Sequence, residues 1–212
     1  MPNCGSCSVF TLHTFLPCND LQPPAGRSET GRRQRCRSTS VKWDRHYSEM
    51  SSPFALTIRS LDECPEVAAI VSAWHWNAWG HNEKVGTEQD WLTVVQARAG
   101  SDVPFTLVGF VDDEPVGAVS VCWEDLDHRF EDEGPWVSGM VVRSNARNLG
   151  IGRSLLTAAE RRCHTLGHGQ LWLHTSEAKR FYERCGWRLE ADKPGIGRDA
   201  VLSKQLTSSA ES

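Results

Sequence analysis

The residues of this chain whose types and spacing best suit chemistry are Arg147-Asn148-Leu149-Gly150-Ile151-Gly152. They stand between a β-prone run, Val137, Met140, Val141 and Val142, and a helical repeat of Ile151, Leu155, Ala159, Cys163 and Leu166 that stops at Gly167. The helix therefore starts at the glycines. Its first N–H groups lack intrahelical acceptors and its dipole places partial positive charge there, so backbone alone can hold a diphosphate. Glycine at 150 and 152 removes the side chains that would stand in the way. No Gly-Lys-Ser/Thr follows, which excludes a P-loop, and the three-glycine spacing of a dinucleotide fold is absent. Gly139, inside the preceding run, predicts a bulge or a close backbone approach.

A second constellation lies downstream. Leu171-Trp172-Leu173-His174 reads as a strand, Thr175 or Ser176 can cap a helix, and Ala178, Phe181 and Cys185 form its apolar stripe before Gly186 ends it. Tyr182 stands within that helix.

Arg147-x-x-Gly150-x-Gly152, entering a helix from a strand, together with Ala178-Lys179-Arg180-Phe181-Tyr182-Glu183-Arg184-Cys185-Gly186-Trp187, resembles the GNAT superfamily of N-acetyltransferases. The resemblance implies an α/β fold with a mixed, mostly antiparallel central sheet flanked by helices. It implies acetyl-CoA as co-substrate and no metal, with the diphosphate on the stretch Arg147, Asn148, Leu149, Gly150, Ile151, Gly152 and Arg153. The pantetheine arm would run along Met140, Val141 and Val142, an N–H near Met140 or Val141 facing the thioester carbonyl. Tyr182 falls on the position that protonates the departing thiolate, and Thr175 on one that contacts the cofactor backbone. Three residues depart from the family's habit: Asn148 and Leu149 stand where glycine and arginine are frequent, and Thr175 stands where asparagine is frequent. The first helices of such folds overlie the acceptor amine, so Trp76, Trp79 and His81, with His75, would line that site. The alternative for these aromatics is packing against the next helix.

An alkyl ammonium titrates near 10, so a base would assist attack. Glu124 and Asp125, at a strand end, are the candidates, with His75, His81 and His174 behind them. The expected reaction is acetyl transfer from acetyl-CoA to a primary amine of a small molecule or peptide, by direct attack in a ternary complex, with Tyr182 as general acid. A peptide N-terminal acetyltransferase and a non-catalytic CoA-binding regulatory module are the alternatives. The acidic run 124–133 would draw a cationic acceptor and repel an acidic one, or is simply solvated.

These residues need elements to position them. A strand is expected over 54–58, then a helix opened by Asp62 and Pro65 with Val67, Ile70, Val71, Trp74 and Ala78 on its buried stripe. A second helix covers 88–99 through Trp91, Leu92, Val95 and Ala99. Strands over 105–111 and 115–123 join at Asp112-Asp113-Glu114, and a hairpin over 187–191 and 200–206 turns at Lys193-Pro194-Gly195.

The 212 residues fit one domain with a remainder: a catalytic domain over 53–207, a disordered tail over 1–50 and a frayed end over 208–212. Residues 1–50 carry seven basic and four acidic side chains, net +3, whereas the rest carries 16 and 23, net −7. An acidic body argues against nucleic acid as a partner, and no apolar run reaches the length of a membrane span. Cys4-x-x-Cys7 with His13, Cys18 and Cys36 offers zinc ligands whose second pair lacks the usual spacing, and the eight cysteines read as reduced thiols of a cytoplasmic protein, a monomer or homodimer.

Overall fold

The computed structural model describes residues 55–80, 86–123, 133–191 and 200–207. The tail over 1–50, the Lys193-Pro194-Gly195 turn and the end over 208–212 lie outside the described residues. Seven strands form one sheet in the order β1-β2-β3-β4-β5-β7-β6: β1 Leu56–Ser60, β2 Phe105–Val111, β3 Glu114–Cys122, β4 Trp136–Val142, β5 Gln170–Thr175, β6 Arg188–Ala191 and β7 Ala200–Gln205. Every neighbouring pair is antiparallel except β4 with β5, as the mixed, mostly antiparallel sheet requires. The helices are α1 Ala68–Trp79, α2 Glu88–Ala97, α3 Ile151–Thr165 and α4 Lys179–Arg184.

Two sets of side chains bury the sheet. Leu107, Val119, Val121, Val137, Met140 and Val142 pack with Ile151, Leu155 and Ala159 of α3 and with Tyr182 of α4. On the other face Val108, Phe110 and Ala118 meet Val67, Ala68 and Val71. The β2–β3 turn is tighter than expected: Asp112 and Asp113 have φ of 49° and 62°, so two residues close the hairpin and Glu114 already pairs with Val111. Among the described residues no helix is long and apolar enough to cross a membrane.

The expected stripe of α1 is corrected by rotation. Ser72, His75, Ala78 and Trp79 are buried with Ala68 and Val71, whereas Ile70 is 40% exposed and Trp74 only half-buried. Two 3₁₀ turns, Leu61–Glu63 and Pro65–Val67, precede the helix and advance three residues per turn, so the α-helical register starts later than Asp62 and Pro65 suggest. The stripe of α4 is corrected likewise. Ala178, Phe181 and Cys185 are half-buried, and the fully buried residue is Tyr182.

Candidate active site

The bulge foreseen at Gly139 is present, and it decides what β4 shows to each face. Ser138 pairs with Ser120 and Val141 with Ala118, so three steps of β4 oppose two of β3, and Gly139 has φ +54°. Because of the extra residue, Val137 and Met140 lie in the same core cluster although three positions apart, while Val141 turns to α1 and α2. The Gly139 carbonyl accepts a hydrogen bond from His75 Nε2 at 2.9 Å. A Cβ at 139 would come within 2.9 Å of that imidazole, so glycine is required for the approach as well as for the backbone angle.

Beside the bulge the sheet opens. β4 and β5 pair at one position, Trp136 with Trp172, supported by Trp172 N–H donating to the Pro135 carbonyl at 3.0 Å. Beyond it, residues 138–142 have no register partner on β5, and one backbone edge of β4 faces a widening cleft.

At the mouth of this cleft β4 passes through a 3₁₀ turn, Ser144–Ala146, into α3. Asn148 and Gly150 take left-handed backbone, φ +63° and +80°, and the first helical bond is Ser154 N–H to the Gly150 carbonyl at 3.0 Å. The amides of 151, 152 and 153 therefore have no partner within the helix. A Cβ on Gly150 would meet nothing within 4 Å, whereas one on Gly152 would stand 3.2 Å from Met140 Cε and 3.6 Å from Phe181 Cζ. The first glycine leaves open space for a ligand; the second lets α3 close on β4 and α4. The arginines face backbone, with Arg147 Nε donating to the Val142 carbonyl at 3.1 Å and an Arg153 Nη to the Arg184 carbonyl at 3.3 Å. Leu149 is 55% exposed.

Tyr182 reaches the same place from α4. Its ring is fully buried against Phe181 and Trp187, and its hydroxyl donates to Met140 Sδ at 3.6 Å. A thioether is a weak acceptor, so the phenolic proton stays available. Burial pushes the phenol well above its ordinary range. Thr175 is buried, and its hydroxyl oxygen accepts from Ala178 N–H at 3.0 Å; it closes the turn into α4, whose N-cap residue is Ala178 rather than Thr175 or Ser176.

Among the base and acceptor-site candidates, Glu124, Asp125 and His81 lie outside the described residues, and His174 is half-buried on β5. Trp76 is half-buried with its indole folded over Gly80, while Trp79 is buried and stacked on Trp91 at 6.3 Å. His75 is corrected as a base: burial, then the nearby Arg98 charge, pulls its pKa down to about 3, too low to take a proton from an amine. It acts on Gly139 instead. Sequence periodicity missed this role, though His75 falling one turn after Val71 was the signal that it points inward. Arg98, at the end of α2, was missed altogether, because an arginine at a helix terminus reads as a solvated cap.

The depressed His75 makes stability depend on pH. Unfolded, the imidazole takes a proton near pH 6.5; folded, it stays neutral to about 3. The unfolded chain binds more protons in that window, so stability is full above 6.5 and falls by about 1.4 kcal/mol per pH unit below it. His75→Gln keeps a donor for Gly139 and should remove one proton from the slope of urea-unfolding stability between pH 6 and 4. An unaltered slope would exclude His75 as its source.

A family model described as "Acetyltransferase (GNAT) family" matches residues 68–187. No curated protein matches by sequence. Solved structures similar in fold include the acetyltransferase of GNAT family from Streptococcus pneumoniae, 19% identical with TM-score 0.55 over 72% of this chain and 100% of that one. An aminoglycoside 6'-N-acetyltransferase complexed with coenzyme A is 17% identical with TM-score 0.58, over 73% and 99%. The yncA protein of Salmonella typhimurium, solved with its cofactor acetyl-CoA, is 19% identical with TM-score 0.56, over 74% and 97%.

Proposed function

Because this chain belongs to the GNAT acetyltransferase family and is an acyltransferase, we propose that it transfers the acetyl group of acetyl-CoA to a primary amine by direct attack in a ternary complex. The observation that carries the reading is the union of three features at one point: the unpartnered edge of β4, the free amides at the start of α3, and the Tyr182 hydroxyl at Met140. Coenzyme A fits these residues. The left-handed loop with open space at Gly150 suits a diphosphate, and the edge over 138–142 suits an amide-bearing arm. That relatives of similar fold hold coenzyme A or acetyl-CoA supports the assignment.

The roles follow from position. Residues 147–153 hold the diphosphate, chiefly through main-chain N–H groups, and Arg147 fixes the loop to β4 rather than binding through Nε. Met140, Val141 and Val142 offer backbone to the pantetheine arm. When bound, acetyl-CoA supplies an acyl group activated as a thioester. In a trans peptide C=O and N–H point in opposite directions, so with the Gly139 carbonyl drawn to His75, the Met140 N–H points away from α1. That N–H is the proposed donor to the developing oxyanion.

Tyr182 donates the proton that the leaving sulfur requires. A phenol exceeds a thiol by about 1.5 pKa units, or about 2 kcal/mol. Burial raises the phenol further, so it gives up its proton only as negative charge develops on the sulfur beside it. A covalent acyl-enzyme is disfavoured because the described cysteines are buried or half-buried, with Cys163 pushed up to about 12 by burial. Glu124 is the proposed base, with Trp76, Trp79 and His81 on the acceptor side.

Thiol release from acetyl-CoA in a mixture of primary amines, with products identified by mass spectrometry, tests this reading. Release should depend on amine, and initial rates should show sequential rather than ping-pong kinetics. We further assign the catalytic unit to residues 53–207. A chain beginning at Met50 is expected to keep turnover within about twofold of the full chain, since every described residue of the site follows it. Aggregation or lost turnover would contradict the assignment.

A further inference from the structure

Arg98, directly after α2, is 6% exposed, and among the described residues its guanidinium makes one hydrogen bond, from an Nη to Ser138 Oγ at 3.5 Å. Among the described residues no carboxylate pairs with it. Arg162 shows how this protein otherwise treats a partly buried arginine: Ser60 Oγ, the Gly100 carbonyl and the Ser101 carbonyl accept from it at 2.8 to 3.1 Å, and its guanidinium lies over the Phe105 ring. A buried cation with one long bond carries a desolvation penalty that a buried anion would offset.

The neighbourhood of Arg98 is rich in other unused polar groups. Ser72 Oγ, His75 Nδ1, Trp79 Nε1 and Trp91 Nε1 are buried without a hydrogen-bond partner. His75 lies 5.3 Å from Trp79 and 6.1 Å from Trp91 between ring centroids, and Arg98 is close enough to depress it. Ser72 Oγ and the two indoles can donate, whereas His75 Nδ1, in a neutral ring whose Nε2–H goes to Gly139, accepts. An indole N–H and a guanidinium cannot accept, so they do not satisfy one another. The cluster is anchored beside the reaction point, because Ser138 immediately precedes the Gly139 bulge that His75 holds. Ser138 is itself on the face of β4 that α1 and α2 cover, with Ser120 opposite it and Thr106 Oγ1 2.8 Å from Ser120 Oγ.

We propose that this donor cluster is the anion subsite of the acceptor pocket, and that the acceptor is an amino-acid-like amine whose carboxylate is held by Arg98 beside Ser138. The inference rests on acyl transfer occurring at the β4 cleft. It narrows the acceptor class: a peptide N-terminus has no carboxylate near its amine, and a polyamine has none at all, whereas a free amino acid presents both groups within one residue.

Matched pairs that differ only in the carboxylate test the proposal: leucine against 3-methylbutylamine and phenylalanine against phenethylamine, assayed by thiol release with the full chain. The wild-type protein should favour the amino acid of each pair by about 100-fold or more in kcat/KM, as expected where a buried polar site is left unpaired by the lesser substrate. Arg98→Met should remove most of that preference, read as the ratio of kcat/KM for the two members of each pair, and Arg98→Lys should restore part of it. Equal loss for both members of a pair would make Arg98 structural. No wild-type preference for the carboxylate would overturn the subsite even if Arg98→Met fails to fold, leaving the cluster to internal water. Calorimetry with coenzyme A separates the two levels: a folded chain that binds it yet spares amino acids contradicts only this inference, and one that does not bind it contradicts the cleft itself.

Discussion

Gly150→Glu is expected to fold and to lose at least 100-fold in affinity for acetyl-CoA. The added Cβ enters open space, so packing is undisturbed, and the φ of +80° costs an L-residue roughly 1–2 kcal/mol. The larger effect is electrostatic. A carboxylate about 5 Å from a phosphate charge contributes about 3 kcal/mol of repulsion at an effective dielectric of 20, and it competes for the free amides at the start of α3. Gly150→Ala separates the two contributions, since it carries the backbone strain without the charge. Calorimetric titration should show it binding coenzyme A within about fivefold of wild type, with both variants melting cooperatively. Equal affinity for the glutamate variant would place the diphosphate elsewhere.

Tyr182→Phe should lower turnover by about 10²-fold or more and leave coenzyme A affinity within threefold. The ring keeps its contacts with Phe181 and Trp187, and the only bond lost is the weak one to Met140 Sδ, so stability should change by less than about 1 kcal/mol. The raised phenol makes a second readout available. Tyr182 stays protonated through pH 9, so kcat/KM for the acceptor should climb with pH as the amine loses its proton, with no alkaline fall traceable to this residue. Unchanged turnover in the phenylalanine variant would remove Tyr182 from the acid role.

The cofactor side was legible in the sequence because its signals are local. Glycines at 139, 150 and 152 are demanded by backbone angle or close approach, and each leaves its mark within a few residues. The strand 105–111, the run 137–142 and helix α3 follow from period and stops alone, the second strand starting one residue earlier in the structure. The acceptor side was not. The inward face of α1 is set by two 3₁₀ turns and by a hydrogen bond from His75 to a residue 64 positions away, neither visible in periodicity. Arg98 likewise acquires its meaning only where α2 ends against Ser138, 40 residues on. The Tyr182 position was given by resemblance, while its full burial came from a helix too short to show a stripe.

A crystal structure of the chain with coenzyme A tests the central claim most directly. The diphosphate oxygens should lie about 2.7–3.2 Å from at least two backbone nitrogens between Asn148 and Arg153, with the pantetheine arm entering between β4 and β5. A folded chain that leaves those amides without the nucleotide, or holds its diphosphate on another surface, would contradict the account.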